Sequence, residues 1–325
     1  MLDKNLINLL NKNKKNISKS KIICIGDIIL DHYISGKVER ISPEAPIPIL
    51  MMKKQRYEIG GVGNVAKNIA AMGAKPTLLT LTGNDQSSII VKKLLNNINN
   101  IKDINIHVPN FKTPKKTRFI KDKDYLLRVD DEIVDFKLIK KYENSILAKL
   151  INEVKKNDLI ILSDYNKGML NNILIKKIIN ISIKYNKKII ADPKKIDLSI
   201  YSNVNILTPN QKEMTDAANK KSLNEKNLIK YGKFIIQKYK VKNLLITRSE
   251  KGMILINSDL IKKFKSNPRK VIDVTGAGDT VIALIGLMLA LKFSVDESIE
   301  ISNYAAGKVI GISGTASVNF SDLIR

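Results

Sequence analysis

Asp273-Val274-Thr275-Gly276-Ala277-Gly278-Asp279 stands directly before a long apolar run, residues 280–291. That run reads as a buried helix. The two glycines then fall at its N-terminus, where unpaired N–H groups point outward and the dipole favours negative charge. Such a turn can cradle a phosphate that carries extra charge in a transition state. The carboxylate of Asp279 would repel a resting phosphate. It makes better sense as a base that takes the proton from an attacking hydroxyl. An anion hole and a base in one turn point to phosphoryl transfer to an alcohol.

Outward from this turn, apolar β-branched runs alternate with helical patterns. Residues 21–26, 77–81, 159–162, 188–191, 205–207 and 243–247 read as buried strands, and 62–72, 137–155, 171–185, 211–218 and 223–239 as helices. The alternation implies an α/β fold with a mostly parallel sheet covered on both faces. Ligands then bind at the carboxyl ends of the strands, so the site loops follow Gly26, Leu162, Ala191, Leu207 and Thr247. Residues 33–59, with Pro43, Pro46 and Pro48, and residues 115–129 break the pattern. Both read as solvent-edged strands of a small β lid that excludes water on closure.

The chain of 325 residues is 44% hydrophobic, enough for one large domain, and no linker interrupts the alternation. Residues 1–20 read as an N-terminal extension, a short amphipathic helix with a frayed tail, and residues 21–325 as the domain proper. Nothing resembles a signal peptide, and no apolar run reaches the ~20 residues needed to span a bilayer. The single cysteine, Cys24, lies in an apolar run and reads as a core thiol. With one cysteine no internal disulfide forms, which fits a cytoplasmic protein. One cysteine and two histidines also argue against zinc chemistry. The net charge of +25 raises nucleic-acid binding. The lysines are spread from end to end, however, and there is no Trp to stack bases on. A solvated basic surface that attracts acidic small substrates is the better reading.

Three further motifs carry chemistry. Gly60-Gly61-Val62-Gly63-Asn64-Val65-Ala66 contains G-x-G-x-x-A, a weak dinucleotide match with Asp85 as the distant acid. The same glycines could let backbone approach a sugar, with Asn64 bonding hydroxyls, or could simply pack a helix start. Gly26-Asp27-Ile28-Ile29-Leu30-Asp31 leaves the first strand with two acids, suited to sugar hydroxyls or to turn capping. Asn210 and Glu213, in Thr208-Pro209-Asn210-Gln211-Lys212-Glu213, are spaced to hold Mg²⁺ through water or to form a capping box. Ser163–Gly168, Asp192-Pro193-Lys194 and residues 247–252 supply polar loops on the same rim. Every Gly-Lys pair is followed by Val or Phe, so no P-loop is present.

These motifs, in this order, resemble the ribokinase (PfkB) family of sugar kinases over residues 21–318. Within that family, several stretches are similar to bacterial kinases of heptose 7-phosphate. They include Arg40-Ile41-Ser42-Pro43-Glu44-Ala45-Pro46, Leu126-Leu127-Arg128-Val129-Asp130 and Leu162-Ser163-Asp164-Tyr165-Asn166-Lys167-Gly168. The resemblance implies a ribokinase-like three-layer α/β/α sandwich with a small β-strand lid. It implies ATP-dependent phosphorylation of the anomeric C1 hydroxyl of D-glycero-β-D-manno-heptose 7-phosphate, on the way to ADP-heptose for lipopolysaccharide. Another sugar kinase, fructokinase- or ribokinase-like, is the nearest alternative, and an NAD-dependent oxidoreductase a remote one. Such kinases are often fused to a nucleotidyltransferase domain carrying a His-x-Gly-His motif. This chain has neither the length nor the histidines for one, so a separate adenylyltransferase is expected.

By position, Asp279 matches the family's catalytic base, and Gly276, Ala277 and Gly278 its anion hole. Asn210, Gln211, Lys212 and Glu213 match the stretch organising Mg²⁺ and ATP. Lys194, Thr247, Ser249 and Gly252 fall in nucleotide loops, and Asn303 where the adenine pocket closes. Asp31, Gly60, Gly61 and Asn64 match the sugar side. Arg118, Arg128 and Lys167 are candidates for the 7-phosphate, because a phosphate wants cationic donors. The resemblance also implies a K⁺ site near Asp273, Thr275 and residues 311–317, and a homodimer formed through the lid. One departure is Val62, where two alanines usually separate Gly from Asn; beside the sugar it would alter the pocket.

Overall fold

The computed structural model describes residues 2–122, 124–266 and 271–324. The apolar runs become strands, and the amphipathic runs helices. The first half contains α1 (Lys4–Ile17), β1 (Ile22–Gly26), β2 (Ile28–Ile41), β3 (Pro48–Gly61), α2 (Val62–Ala71), β4 (Thr77–Thr82), α3 (Gln86–Asn96), β5 (Lys102–His107), β6 (Lys115–Lys121) and β7 (Asp124–Asp131). There follow α4 (Phe136–Lys140), α5 (Glu143–Lys156), β8 (Leu159–Ser163), α6 (Asn172–Lys184), β9 (Lys188–Asp192), β10 (Ile206–Leu207), α7 (Gln211–Ala217) and α8 (Glu225–Tyr239). The chain ends with β11 (Asn243–Thr247), β12 (Met253–Asn257), β13 (Ile261–Phe264), α9 (Ala277–Ala290), α10 (Val295–Val309) and α11 (Phe320–Ile324).

Nine of the described strands form one sheet in the order β13-β12-β11-β10-β9-β8-β1-β4-β5. Its pairs are parallel except β11–β12 and β12–β13. Successive side chains of a strand point to opposite faces, and β1 divides accordingly. Ile22 and Cys24 enter a core with α1, α2, α9 and α10, whereas Ile23 and Ile25 enter a second core with α5, α6 and α8. The result is the expected three-layer sandwich. A helix that is apolar all round belongs inside, and α9 buries its side chains from Asp279 to Leu289. In α1, Leu6, Leu10 and Ile17 are buried in the same core as α2.

The remaining four strands form the separate small sheet, in the order β3-β2-β6-β7. It is antiparallel except for β2–β6. Residue 123 of the second lid segment lies outside the described residues. The lid begins earlier than the sequence suggests. β2 follows β1 after one residue, so Asp31 is a lid residue and not the end of a main-sheet strand. The expected helix over 137–155 is two helices, α4 and α5, parted at Lys141-Tyr142. The edge strands β5 and β13, the apolar strand β12 between β13 and β11, and the helices α3 and α10 are not among the elements read from the sequence.

Candidate active site

Asp279 sits in the first turn of α9, behind Gly276, whose φ of 79° places it in the left-handed region. A Cβ at Gly276 would lie 2.6 Å from the Asn64 Nδ2, so this turn tolerates only glycine. Gly278 differs. It is exposed, and a Cβ there would meet nothing within 4 Å. The first helical bond of this turn is the Thr280 amide to the Gly276 carbonyl. Among the described residues, the amides of Gly278 and Asp279 have no acceptor, as expected of a helix start. Open space in front of unpaired amides is what an arriving phosphate requires.

Asp279 itself is 4% exposed. Its Oδ2 accepts from the Asn64 Nδ2 at 2.8 Å and its Oδ1 from the Tyr165 hydroxyl at 2.5 Å. Burial pushes its carboxyl up to about 6; Asp31 adds to the rise, while the two hydrogen bonds and Lys116 oppose it. A carboxyl tuned toward neutral pH suits a general base. The Asn64 amide is backed by a buried polar network. Asn68 donates to the Asn64 carbonyl (2.9 Å), and the Thr280 hydroxyl to the Asn68 Oδ1 (3.2 Å). Asn64, expected to bond sugar hydroxyls, gives one of its two amide N–H groups to Asp279.

On the nucleotide side, Asn210 and Glu213 form a reciprocal capping box at the start of α7, each bond 2.9 Å. The second Glu213 oxygen accepts from Lys194 at 2.9 Å. Asn210 also bridges to Thr247 at the end of β11. Asp192, at the end of β9, accepts from the Thr208 hydroxyl at 2.9 Å. Burial, then Glu213, and later Asp279, push its carboxyl well above the usual range. Asp192 thus lies within electrostatic reach of both Asp279 and Glu213. Among the described residues, no cluster of three or more His, Cys, Asp or Glu gathers as metal ligands. One carboxylate beside one amide suits Mg²⁺ that keeps most of its water and takes phosphate oxygens for the rest.

Other nucleotide candidates have different surroundings. Lys212 is turned to solvent and pairs with Asp216. Gln211 accepts from Arg248 (3.3 Å), which is ion-paired with Glu225. Ser249 is exposed, with φ of 49°. Gly252 packs where a Cβ would lie 2.0 Å from the Phe264 carbonyl oxygen. Asn303 holds the Lys265 carbonyl at 2.7 Å.

On the lid side, Asp31 and Arg118 form a buried pair, and a Cβ at Gly60 would lie 2.2 Å from the Asp31 Oδ2. Arg56 and Arg118 stack on Tyr33 at 4.3 and 5.1 Å. The three phosphate candidates are already matched: Arg118 with Asp31, Arg128 with Asp130 and Lys167 with Glu132. Lys116 has no ion-pair partner among the described residues. It is half-buried, 5.6 Å over the Tyr165 ring, and burial lowers its pKa. Two lid residues reach across to the main domain: the Tyr125 hydroxyl donates to Asp273 in the turn before α9 (2.9 Å), and Glu58 accepts from the Thr315 amide in the loop after α10 (2.6 Å).

Two readings are corrected. Val62 is 0% exposed and packs in the core, with its amide on the Asp27 carbonyl, so its side chain does not border the cleft. The glycine run is no dinucleotide fingerprint. It follows the lid strand β3, and at Gly61 and Gly63 a Cβ would lie 2.2 Å from the Asp27 carbonyl oxygen and 2.1 Å from Ile59. Protein atoms occupy the space a pyrophosphate would need. Asp85 caps α3 instead. Two residues escaped the sequence reading, Tyr165 and Lys116, while Asp27 takes the capping role that was one of its two readings. Asp27 accepts from the amides of Tyr165, Lys167 and Met169 (3.0–3.1 Å) and so fixes the loop after β8. An acid at a strand end was visible, but its partners lie some 140 positions away and carry no local signal.

The chain is 35% identical over 316 residues to the bifunctional protein HldE of Granulibacter bethesdensis, an alignment covering 95% of this chain and 65% of the relative. It is 39% identical over 312 residues to HldE of Sulfurimonas denitrificans, covering 93% and 63%. The chain thus spans a little under two thirds of the length of these curated relatives. In fold it matches phosphofructokinase-2 from Escherichia coli in complex with potassium (TM-score 0.75, 18% identity, 94% and 96% of the two chains). It also matches Arabidopsis thaliana ribokinase complexed with ribose and ATP (TM-score 0.72, 15% identity, 94% and 97%). Among the described residues no helix is long and apolar enough to cross a membrane. The model of the pfkB family of carbohydrate kinases matches residues 19–321, and the chain belongs to that family, as a phosphotransferase acting on a sugar.

Proposed function

We propose that this kinase transfers the γ-phosphoryl group of ATP to the C1 hydroxyl of D-glycero-β-D-manno-heptose 7-phosphate, giving the 1,7-bisphosphate. The observation that carries the reaction type is the Asp279 carboxylate, raised to about 6, directly behind the open amides of Gly278 and the α9 start. Kinship to HldE proteins and the lid stretch Arg40–Pro46 support the heptose. The acceptor sits between Asp279 and the Asp31–Arg118 pair, with Gly60 and Gly61 beneath it. Its phosphate meets Lys116, with Arg118, Arg128 and Lys167 nearby.

Asp279 takes the C1 hydroxyl proton as that oxygen bonds to the γ-phosphorus. The bond from phosphorus to the bridging oxygen breaks, and ADP leaves. The amides of Gly278 and Asp279, with Lys194, hold the phosphoryl oxygens in line. Asn210 and Glu213 would hold Mg²⁺ through water, and the ion would neutralise phosphate charge. Thr247, Ser249, Gly252 and Asn303 border the nucleotide. Asp273, Thr275 and the 311–317 loop are the residues that would hold K⁺. The lid keeps water from the γ-phosphate. Its exposed apolar residues Met51, Met52, Leu126, Leu127 and Val129 form the contact of a homodimer. The test is coupled ADP release with heptose 7-phosphate against ribose, fructose and fructose 6-phosphate. A preference for an unphosphorylated sugar would overturn the assignment.

A further inference from the structure

We propose that Tyr165 is a positioning residue whose hydroxyl holds the acceptor's place on Asp279 until the sugar displaces it. The proposal rests on the reading of Asp279 as the base. Both oxygens of that base are occupied, one by Asn64 and one by Tyr165. The two donors are held very differently. Asn64 is wholly buried on α2, and Asn68 and Thr280 lock it from behind. Tyr165 lies half-buried on the loop after β8. Asp27 pins its backbone, and among the described residues Asp279 is its hydroxyl's one hydrogen-bond partner. Only Tyr165 can leave without opening the core.

The hydroxyl also stands where an acceptor has to stand. Asp279, Asp192 and Asp31 all act on it: the base, the nucleotide side and the lid side. Lys116 lies over the Tyr165 ring. An acceptor that carries a phosphate draws this cation to itself and loosens the ring at the moment of binding. While Tyr165 is seated, its hydroxyl fills the place at Oδ1 that an attacking water would take, which would limit ATP hydrolysis when no sugar is present. The groups facing Asp279 are Asn64 from α2, Tyr165 from the β8–α6 loop, Asp31 from β2 and Lys116 from β6, with Asp192 at the end of β9.

The test is Tyr165→Phe, which keeps the ring and removes the hydroxyl. Three readouts are taken with Mg-ATP and heptose 7-phosphate: ADP release without sugar, and the pH profiles of kcat/KM and of kcat. The first reports the loss of shielding. The profiles report the base in the free enzyme and in the substrate complex respectively. ADP release without sugar is expected to rise about fivefold or more. The acid limb of kcat/KM moves up by about one pH unit, because a hydrogen bond to the charged form is gone. The acid limb of kcat stays in place, because Tyr165 has already left the base in that complex. If both limbs move, Tyr165 stays on Asp279 through turnover and the proposal fails. If neither moves, the contact has no hold on the base and the proposal fails again. Thermal unfolding of the variant confirms that the fold is kept, and Tyr165→Leu repeats the profiles with the ring removed as well. Failure of the base reading is separate: Asp279→Asn would then keep its turnover, whatever Tyr165→Phe does.

Discussion

Asp279→Asn keeps the shape of the side chain and removes its charge, and it should move stability and activity in opposite directions. The native carboxyl is buried, and its pKa is raised from 3.8 to about 6. An acid whose folded-state pKa exceeds its unfolded value favours the fold when protonated. That contribution is intact below about pH 4 and is lost as pH rises through about 6. At neutral pH the ionised group therefore weakens the fold by about 3 kcal/mol. Asn is spared this. It cannot, however, accept from both Asn64 and Tyr165, and turning its NH₂ toward one donor costs about 1–2 kcal/mol. The net gain is about 1–2 kcal/mol. For a chain this long the unfolding entropy is about 0.7 kcal/mol/K, so Tm rises by about 2 °C. Turnover falls by about 10³-fold or more, ~4 kcal/mol of barrier, because the proton of the attacking hydroxyl has no acceptor. ADP release coupled to a dehydrogenase measures the first-order loss, thermal unfolding measures the gain, and protection by Mg-ATP shows that nucleotide binding survives. Turnover within tenfold of the parent would refute the reasoning.

The remaining predictions are simpler. The kcat/KM of the parent should fall on the acid side with a limb near pH 6, the value at which burial places Asp279, and a limb near pH 4 would contradict that placement. Gly278→Ala adds a methyl in open space and improves helix propensity, so Tm should hold or rise. Turnover should nevertheless drop at least about tenfold if phosphate occupies that space; unchanged turnover would show that it does not. Met52→Asp with Leu127→Asp puts charge on the exposed lid face and should convert a dimer to a monomer in sedimentation, whereas an unchanged mass would place the contact elsewhere.

The parallel sheet was legible because β1, β8, β9 and β11 are short, unbroken apolar runs that no other element explains. The turn before α9 was legible for the same reason, since glycines before an apolar helix have few uses. Pairings across distance were not. Nothing near Asn64 reveals that its amide faces Asp279 at a separation of 215 positions, or that Tyr165 reaches the same carboxylate. The glycines at 60, 61 and 63 look alike in sequence, yet each is needed against a different neighbour: the Asp31 carboxylate, the Asp27 carbonyl and Ile59. Charge behaves likewise. Arg118, Arg128 and Lys167 look available for a phosphate until their carboxylate partners are in place, whereas Lys116, which drew no attention in the sequence, has no ion-pair partner among the described residues. The Asn210–Glu213 spacing served as a capping box, as a local reading allowed, while Lys194 reached the remaining oxygen from another loop.

The most direct measurement compares kcat/KM for heptose 7-phosphate with that for fructose 6-phosphate and ribose under saturating Mg-ATP. The account predicts a preference of at least about 100-fold for the heptose phosphate, with the product phosphorylated at C1. Equal use of all three, or a phosphate placed on another carbon, would contradict it.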